Sequence, residues 1–236
     1  MIDTRDIVSR LHTIESLAVI PRVASTNLVA RRIVTECMEN ELSLPQAMII
    51  AREQLAGRGR NQRSWSSPRG KGIYATTLLT RTAEEMALMP LTMATIIAEY
   101  LSAEFGIDAG IKWPNDIFAG GRKIAGILIE GRVHENRGYL AIGTGVNLEP
   151  VQDDTRPNAV SVREVAAKPY TNVDDAIVSF IEHVDAGVTR RDARQTVLEA
   201  WRARAIHRPG DPVKCVIGER TIEGTWSRID DDGRAV

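Results

Sequence analysis

The chain contains little of what marks several specialised classes of protein. Its two cysteines, Cys37 and Cys215, are far apart in 236 residues, and neither stands at the spacing of a metal or redox motif. We therefore expect two reduced, buried thiols, one on a helix and one on a strand. No run approaches the roughly 18 apolar residues of a membrane span, and residues 1–10 lack the apolar core of a secretion signal. These absences favour a cytoplasmic location without membrane attachment.

The chain also has no excess of either charge and few aromatic residues. Thirty basic and 31 acidic residues leave a formal charge of −1, and aromatic residues make up 5% of the sequence. Such a chain offers no broad electrostatic attraction to nucleic acid or to an anionic membrane, so any polyanion site must be local. With 43% hydrophobic and 26% charged residues, it has the composition of a soluble globular protein with a sizeable core.

Hydrophobic periodicity predicts an α+β fold with a large first domain. An antiparallel meander is predicted over residues 116–147, with turns at Gly120 and Gly121 and around Asn136. Because residues 207–210 interrupt the helical pattern, we predict a domain boundary near residue 206, which separates residues 1–206 from a small β module at 207–236. Predicted helices cover residues 3–17, 25–39, 90–106, 161–166, 173–184 and 190–205, with Pro90 opening the third; predicted strands cover residues 47–52, 72–80, 111–113, 116–119, 123–133 and 139–147.

A cluster of basic residues stands out in this balanced chain. Between residues 52 and 71 there are six basic residues and a single acidic one, and Gly57 and Gly59 alternate with Arg58 and Arg60. Glycine lets the backbone approach a ligand closely, while guanidinium groups supply charge and paired hydrogen bonds, so phosphate is the natural ligand. The segment has neither the P-loop ending nor the GxGxxG spacing. A solvated basic loop is the alternative interpretation.

A second candidate pair is Asp116 and Lys123, which are seven positions apart. If Gly120 and Gly121 turn a hairpin, adjacent strands carry the two side chains and can direct them into one pocket. A surface salt bridge across the hairpin remains the alternative. Two further segments also have structural alternatives: Ser25 to Asn27 suits a helix cap, and residues 143–147 suit a strand that ends in a glycine turn.

Five segments, in this order, together resemble the biotin protein ligases. They are Ser25-Thr26-Asn27; Gln54 to Arg60 followed by Trp65, Ser67, Pro68 and Gly70; residues 112–116 (KWPND); residues 123–128 (KIAGIL); and residues 143–147 (GTGVN). The resemblance covers about residues 20–230. It implies a mixed or antiparallel sheet with flanking helices, like that of class II aminoacyl-tRNA synthetases, and a small C-terminal SH3-like barrel.

The resemblance implies that biotin is adenylated with ATP and then transferred to a lysine. Lys123 would bridge the biotin carboxylate and the α-phosphate, Asp116 would orient or deprotonate the acceptor amine, and Arg60 would complete the catalytic set. Trp65 would lie beside adenine, and Gly126 would leave room for the biotin rings. The full implied binding set is Ser25, Thr26, Asn27, Gln54, Gly57, Arg58, Arg60, Arg63, Trp65, Asn115, Lys123, Gly126 and Asn147. No side chain is assigned as a metal ligand, and Mg²⁺ would arrive with the nucleotide.

The implied partner is the biotin carboxyl carrier domain of an acetyl-CoA, acyl-CoA or pyruvate carboxylase. About two dozen residues precede Ser25, so we expect no winged helix-turn-helix and no operator binding. The β module ends just after residues 230–233, so we expect an incomplete barrel. Monomer and homodimer both remain open. The rival functions are a lipoate or octanoate ligase, a nucleic-acid-binding module that uses the basic loop, and an adenylate-binding protein that has lost transfer.

Overall fold

Seven strands form one mixed sheet in the computed structural model, which describes residues 2–134, 137–151, 158–168, 170–217 and 220–236. The order is β1-β2-β3-β7-β6-β5-β4, and all neighbouring pairs are antiparallel except β1 with β2. The predicted meander is therefore confirmed, although residues 135–136 of its last turn lie outside the described residues. The strands are β1 (Ser16–Ile20), β2 (Ala47–Ala51), β3 (Gly72–Thr82), β4 (Gly110–Lys112), β5 (Asp116–Ala119), β6 (Arg122–His134) and β7 (Arg137–Asn147).

Helices cover both faces of this sheet and create two hydrophobic clusters. One helix packs on the first face in a small cluster that includes Val34, Cys37 and Leu78. Three others build the larger cluster on the opposite face, where Tyr100, Phe180 and Trp201 are buried. The described helices are α1 (Thr4–Val8), α2 (Thr26–Glu39), α3 (Ala83–Phe105), α4 (Val162–Val165), α5 (Val173–Thr189) and α6 (Arg194–Arg204); α2 lies on the first face, and α3, α5 and α6 on the second.

Strand alternation positions the polar cavity beside helix α2. Side chains two positions apart on a strand share a face, and along β3 the face that holds Leu78 beneath α2 continues to Thr76 and Tyr74. The residues opposite Thr76 and Tyr74 on β7 are Gly143 and Gly145. Because these two glycines have no side chains, the face opens into a space that polar groups from other segments can enter.

The predicted helix over residues 3–17 is wrong. Helix α1 has five residues, and the chain then enters β1, which pairs in parallel with β2. The helix cannot continue because the carboxylate of Asp185 accepts the backbone N–H groups of His12, Thr13 and Ile14 at 2.8, 2.9 and 2.7 Å. A long-range interaction therefore overrides the local helical spacing of Ile7 and Ile14, both of which are nevertheless buried.

We expect Asp185→Ala to lower the free energy of unfolding by about 3 kcal/mol, because a buried acceptor of three backbone N–H groups is lost. Asp185 is 2% exposed, so water cannot readily replace it. The exposed Asp192→Ala is the control, with an expected change below about 0.5 kcal/mol. Urea unfolding measures both variants, and equal midpoints for the two would contradict the structural role assigned to Asp185.

Helix α3 begins earlier than its proline suggested. Thr82 and Glu85 form a capping box, in which Thr82 Oγ1 accepts from the Glu85 N–H and Glu85 Oε2 accepts from the Thr82 N–H. The helix therefore starts at Ala83 and contains Pro90. By length and composition α3 could cross a membrane, which corrects the expectation that no such stretch exists. Of its most apolar stretch, however, 61% is buried inside the protein, as in the core helix of a soluble fold.

The C-terminal module pairs two strands, β8 (Pro212–Ile217) and β9 (Arg220–Thr225). Within the described residues it adds one isolated bridge, between Ile229 and Ala235, and no closed barrel forms. Just before the module, the N–H of Ile206 donates to the carbonyl of Ile111 on the large sheet at 3.0 Å. Cys215 lies on β8 as predicted but is half-buried, so the expectation of two buried thiols holds only for Cys37.

Candidate active site

One cavity of about 920 Å³ collects side chains from all five segments singled out in the sequence. It lies on the face of the sheet that carries Gly143 and Gly145, beside the N-terminus of α2. Residues 211–216 and Trp226 of the C-terminal module line its outer part. Of the fourteen predicted site residues, every one except Gly57 lines this cavity. Segments more than 100 positions apart in the sequence therefore share one space.

A chain of hydrogen bonds forms the polar wall at the α2 end. Gln54 Oε1 accepts from the N–H and the hydroxyl of Thr26 at 2.9 and 3.1 Å, and Gln54 Nε2 donates to Ser67 Oγ at 2.9 Å. Beneath them the hydroxyl of Thr76 lies 2.8 Å from Thr26 Oγ1 and donates to Asn27 Oδ1 at 2.6 Å. The wall thus presents buried, oriented donors and acceptors. Thr76 was missed in the sequence because a threonine on a strand carries no distinguishing signal.

Ser25 occupies the N-cap position of α2. Its side chain makes no capping hydrogen bond, so the predicted capping role of the hydroxyl is wrong. Its backbone carbonyl accepts from the N–H of Val29 at 3.2 Å, which begins the helix. Ser25 is 2% exposed and lines the cavity, so it remains part of the candidate site.

The arginine and glycine segment is an ordered hairpin rather than an open loop. Backbone bonds from the N–H of Gly59 to the carbonyl of Arg63 (2.7 Å) and from that of Trp65 to the carbonyl of Gly57 (2.8 Å) close it. A Cβ at Gly57 would lie 2.3 Å from the carbonyl oxygen of Trp65. Gly57 is therefore needed for the close approach of the two strands of the hairpin, and its role as a ligand contact stays a prediction.

The hairpin holds three guanidinium groups at the cavity. Arg60 Nη1 donates to Asn115 Oδ1 at 3.3 Å, which ties the tip of the hairpin to the KWPND segment. Arg58 lies 3.9 Å from Glu130, a distant ion pair, and Arg63 lines the cavity as an exposed cation. Burial raises the pKa of Tyr74, so its phenol stays protonated and donates to the carbonyl of Pro68 at 3.0 Å, anchoring the chain after the hairpin.

Lys123 and Asp116 meet across the predicted hairpin. Lys123 Nζ lies 2.6 Å from Asp116 Oδ1, and the two side chains remain 31% and 34% exposed. An irregularity between Ile117 and Phe118 shifts the register of β5 against β6. The pair therefore forms a salt bridge across the hairpin, which was the alternative interpretation of the sequence. Both residues also line the cavity. At this exposure the ion pair stabilises the fold little, which leaves both groups available to a charged ligand.

Glycines on β6 and β7 make room for Trp65. A Cβ at Gly145 would lie 2.5 Å from the indole ring, and one at Gly126 would lie 3.1 Å from both that ring and the end of Lys123. The Lys123 ammonium lies 5.3 Å from the centre of the Trp65 ring. The family resemblance implied that Gly126 leaves space for biotin. In the structure the side chains of Trp65 and Lys123 share that space, and Trp65 packs against the sheet as one wall of the cavity.

Two asparagines at the cavity hold backbone groups. The side-chain amide of Asn115 donates to the carbonyl of Ile127, and its oxygen accepts from Arg60. Asn147 Nδ2 donates to the carbonyl of Val160 at 3.1 Å and lies 3.5 Å from that of Lys123. Asn147 therefore braces the strand that carries Lys123. Its role as a nucleotide contact stays a prediction.

The sequence prediction missed the outer part of the cavity. Lys112, His207, Lys214 and Trp226 line it, and the last three come from beyond the predicted domain boundary.

Among the residues that the structure describes, no group of three or more His, Cys, Asp or Glu side chains is placed to hold a metal ion.

Comparison with known proteins assigns the chain to a protein family. Residues 19–147, more than half of the chain, match the biotin/lipoate A/B protein ligase family. The chain belongs to this family. All five sequence segments that line the cavity described above lie within the matched region, and the last of them, residues 143–147, ends where the match ends.

Curated relatives extend the match beyond that region. The biotin–[acetyl-CoA-carboxylase] ligase of Paracoccus denitrificans is 32% identical over 206 residues, covering 80% of this chain and 83% of the relative. The bifunctional ligase/repressor BirA of Bacillus subtilis is 33% identical over 144 residues, covering 58% of this chain. The match spans less than half, 43%, of that second protein.

Solved structures confirm the predicted fold. The biotin protein ligase of Aquifex aeolicus, in complex with biotin and ATP, superposes with a TM-score of 0.73, covering 93% of this chain and 90% of that one at 22% identity. The mixed sheet with flanking helices is therefore the ligase fold.

Proposed function

We propose that this ligase adenylates biotin with ATP and transfers it to a lysine of a biotin carboxyl carrier protein. The observation that carries the proposal is the convergence of the arginine hairpin and Lys123 on a cavity whose other end is a polar wall. Its similarity to the Paracoccus ligase supports the choice of biotin over other acids.

The cavity suits a ligand that is polar at one end and anionic at the other. The ureido ring of biotin needs both donors and acceptors when it is buried, because an unpaired polar group costs free energy. The wall formed by Thr26, Asn27 and Gln54 supplies both kinds of group. The carboxylate would then extend toward Arg60 and Lys123, where cations reduce its repulsion from the triphosphate.

In the first half-reaction, a carboxylate oxygen of biotin attacks the α-phosphorus of ATP. The new P–O bond forms as the bond to the β-phosphate oxygen breaks, and pyrophosphate leaves with the electron pair. Lys123 then moves from Asp116 toward the phosphate oxygens that gain negative charge. The attraction of these oxygens for the ammonium replaces the attraction of the Asp116 carboxylate. The ammonium stabilises the transition state as a positive charge and transfers no proton.

In the second half-reaction, the neutral amine of the carrier lysine attacks the acyl carbon of the adenylate. A C–N bond forms, the C–O bond to AMP breaks, and AMP leaves as the anion. The amine must lose a proton as it attacks. The Asp116 carboxylate is freed when Lys123 turns to the phosphate, so it can orient the amine and accept that proton. The closed hairpin shields the anhydride from water meanwhile.

Magnesium enters this scheme as part of the substrate MgATP. The described residues offer no carboxylate cage for it, and Mg²⁺ commonly binds through phosphate oxygens with few protein ligands. We place the reaction in the cytoplasm, where ATP and the carboxylases are found.

Isotope exchange between pyrophosphate and ATP tests the function. We expect exchange that depends on biotin and is not supported by lipoate or octanoate. Exchange with lipoate but not with biotin would instead identify the chain as a lipoate ligase. Exchange without subsequent labelling of a carrier domain would instead identify an adenylate-binding protein that lacks transfer.

A further inference from the structure

His207 joins the C-terminal module to the cavity and lies outside the region that matches the family. The backbone N–H of Trp113 donates to His207 Nε2 at 3.2 Å. The imidazole stacks on the indole of Trp226, with ring centres 4.5 Å apart and planes inclined by 24°. Trp226 is 6% exposed. The imidazole is therefore fixed in position and presents an unprotonated nitrogen to the KWPND segment.

The side chain of Trp113 is held by the same module. Its indole N–H donates to the carbonyl of Gly233 at 3.0 Å, and its ring centre lies 6.5 Å from that of Trp226. Trp113 therefore has its backbone and its side chain anchored by residues more than 90 positions later in the chain.

Trp113 in turn stands just before two cavity residues. Asn115 accepts the hydrogen bond from Arg60 of the hairpin at 3.3 Å, and Asp116 pairs with Lys123 at 2.6 Å. A shift of the backbone at Trp113 would move both side chains. Positioning errors of about 1 Å can cost about 100-fold in rate, so the anchor matters to the chemistry.

We propose that His207 is a positioning residue for the ligase reaction, which holds Asn115 and Asp116 in place through Trp113 and releases them when the imidazole is protonated. This inference rests on the proposed function. It gives the C-terminal module a role in both half-reactions, through Asn115 and Arg60 in the first and through Asp116 in the second.

The pH dependence follows from the surroundings of His207. Burial lowers the pKa of His207, Lys112 on β4 lowers it further, and Asp211 in the module opposes them; the two packed indoles carry no charge. Because the folded pKa lies below the unfolded value of about 6.5, the folded state binds fewer protons. The hydrogen bond therefore stabilises fully above about pH 6.5 and is lost as the pH falls through the folded pKa.

The test compares His207→Phe with His207→Gln in biotin-dependent pyrophosphate exchange from pH 5 to 8. Phenylalanine keeps the stacking and removes the acceptor, so we expect the rate at pH 7.5 to fall about five- to tenfold. Glutamine retains an acceptor and should recover most of the rate. We expect the rate of the unaltered protein to fall at acid pH. Both variants should lack the part of that fall that comes from protonation of His207. His183→Gln is the control. Burial lowers the pKa of His183 as well, but His183 packs on Tyr100, away from the cavity.

An unchanged acid-side decline in His207→Phe, or equal losses in the Phe and Gln variants, would overturn the inference. Amide hydrogen exchange at Trp113 adds a readout that needs no activity, and we expect faster exchange in His207→Phe, with the Gln variant near the unaltered protein. If the unaltered protein shows no biotin-dependent turnover, the proposed function fails, whereas Trp113 protection still tests the anchor. Equal protection in all variants would refute the anchor itself.

Discussion

Replacing Lys123 with alanine is expected to lower the rate of biotin adenylation by about 100- to 1,000-fold, the range for removing one preorganised group that stabilises transition-state charge. The ammonium is the cavity cation nearest to Asp116, at 2.6 Å, and it can exchange that partner for the phosphate. Stability should change little, because the pair is about one third exposed. Pyrophosphate exchange measures the rate, and thermal unfolding checks the fold.

Arg122→Ala is the matched control for this variant. Arg122 is the preceding residue on β6, and it pairs with Glu164 at 3.2 Å instead of with a cavity residue. We expect near-normal exchange from it. An adenylation rate for Lys123→Ala within threefold of that of the control would remove Lys123 from the catalytic set.

Replacing Arg60 with glycine is expected to separate adenylation from retention of the intermediate. Arg60 ties the tip of the hairpin to Asn115 at 3.3 Å, and in the proposed mechanism it would also supply a cation next to the activated carboxyl group. Without it the hairpin should open more often and release the adenylate about ten times faster, since a hydrogen bond from a charged donor is worth about that factor. Adenylation should persist at a reduced rate.

Released adenylate acylates any accessible lysine, so the readout is biotin on an unrelated lysine-rich protein added to the reaction. Arg69→Gly is the control, because Arg69 is an exposed arginine of the same segment that lies outside the cavity lining. We expect bystander labelling from Arg60→Gly and little from Arg69→Gly. Labelling restricted to the carrier domain in both variants would show that Arg60 does not retain the intermediate.

Local signals in the sequence predicted the centre of this site well. The turn at Gly120 and Gly121 brings Lys123 to Asp116 because a two-residue turn imposes antiparallel pairing. Alternating glycine and arginine predicted a segment in which backbone and guanidinium groups reach one space. Both signals depend on neighbours within about ten positions.

Features that depend on distant parts of the chain could not be predicted. The five-residue length of α1 depends on Asp185, which lies more than 170 positions later. Pro90 suggested a helix start, but the capping box at Thr82 decides it. The bond between Trp113 and His207 spans 94 positions and exists only because the module docks on the large sheet.

The packing of Trp65 shows a further limit. The family resemblance implied that Trp65 lies beside adenine and that Gly126 leaves room for biotin, and both roles stay predictions. The structure adds that the indole packs against Gly145 and Gly126. Which surface of the ring meets which ligand depends on hairpin geometry that the sequence does not encode locally.

Calorimetry tests the central claim that cations from two distant segments hold biotin and ATP together. Biotin is titrated into the protein with and without a non-hydrolysable ATP analogue. We expect tighter biotin binding with the analogue, by about tenfold, and reciprocal tightening of the analogue by biotin, because linkage between two ligands is mutual. Biotin binding of the same affinity in both titrations, or none in either, would contradict the shared site.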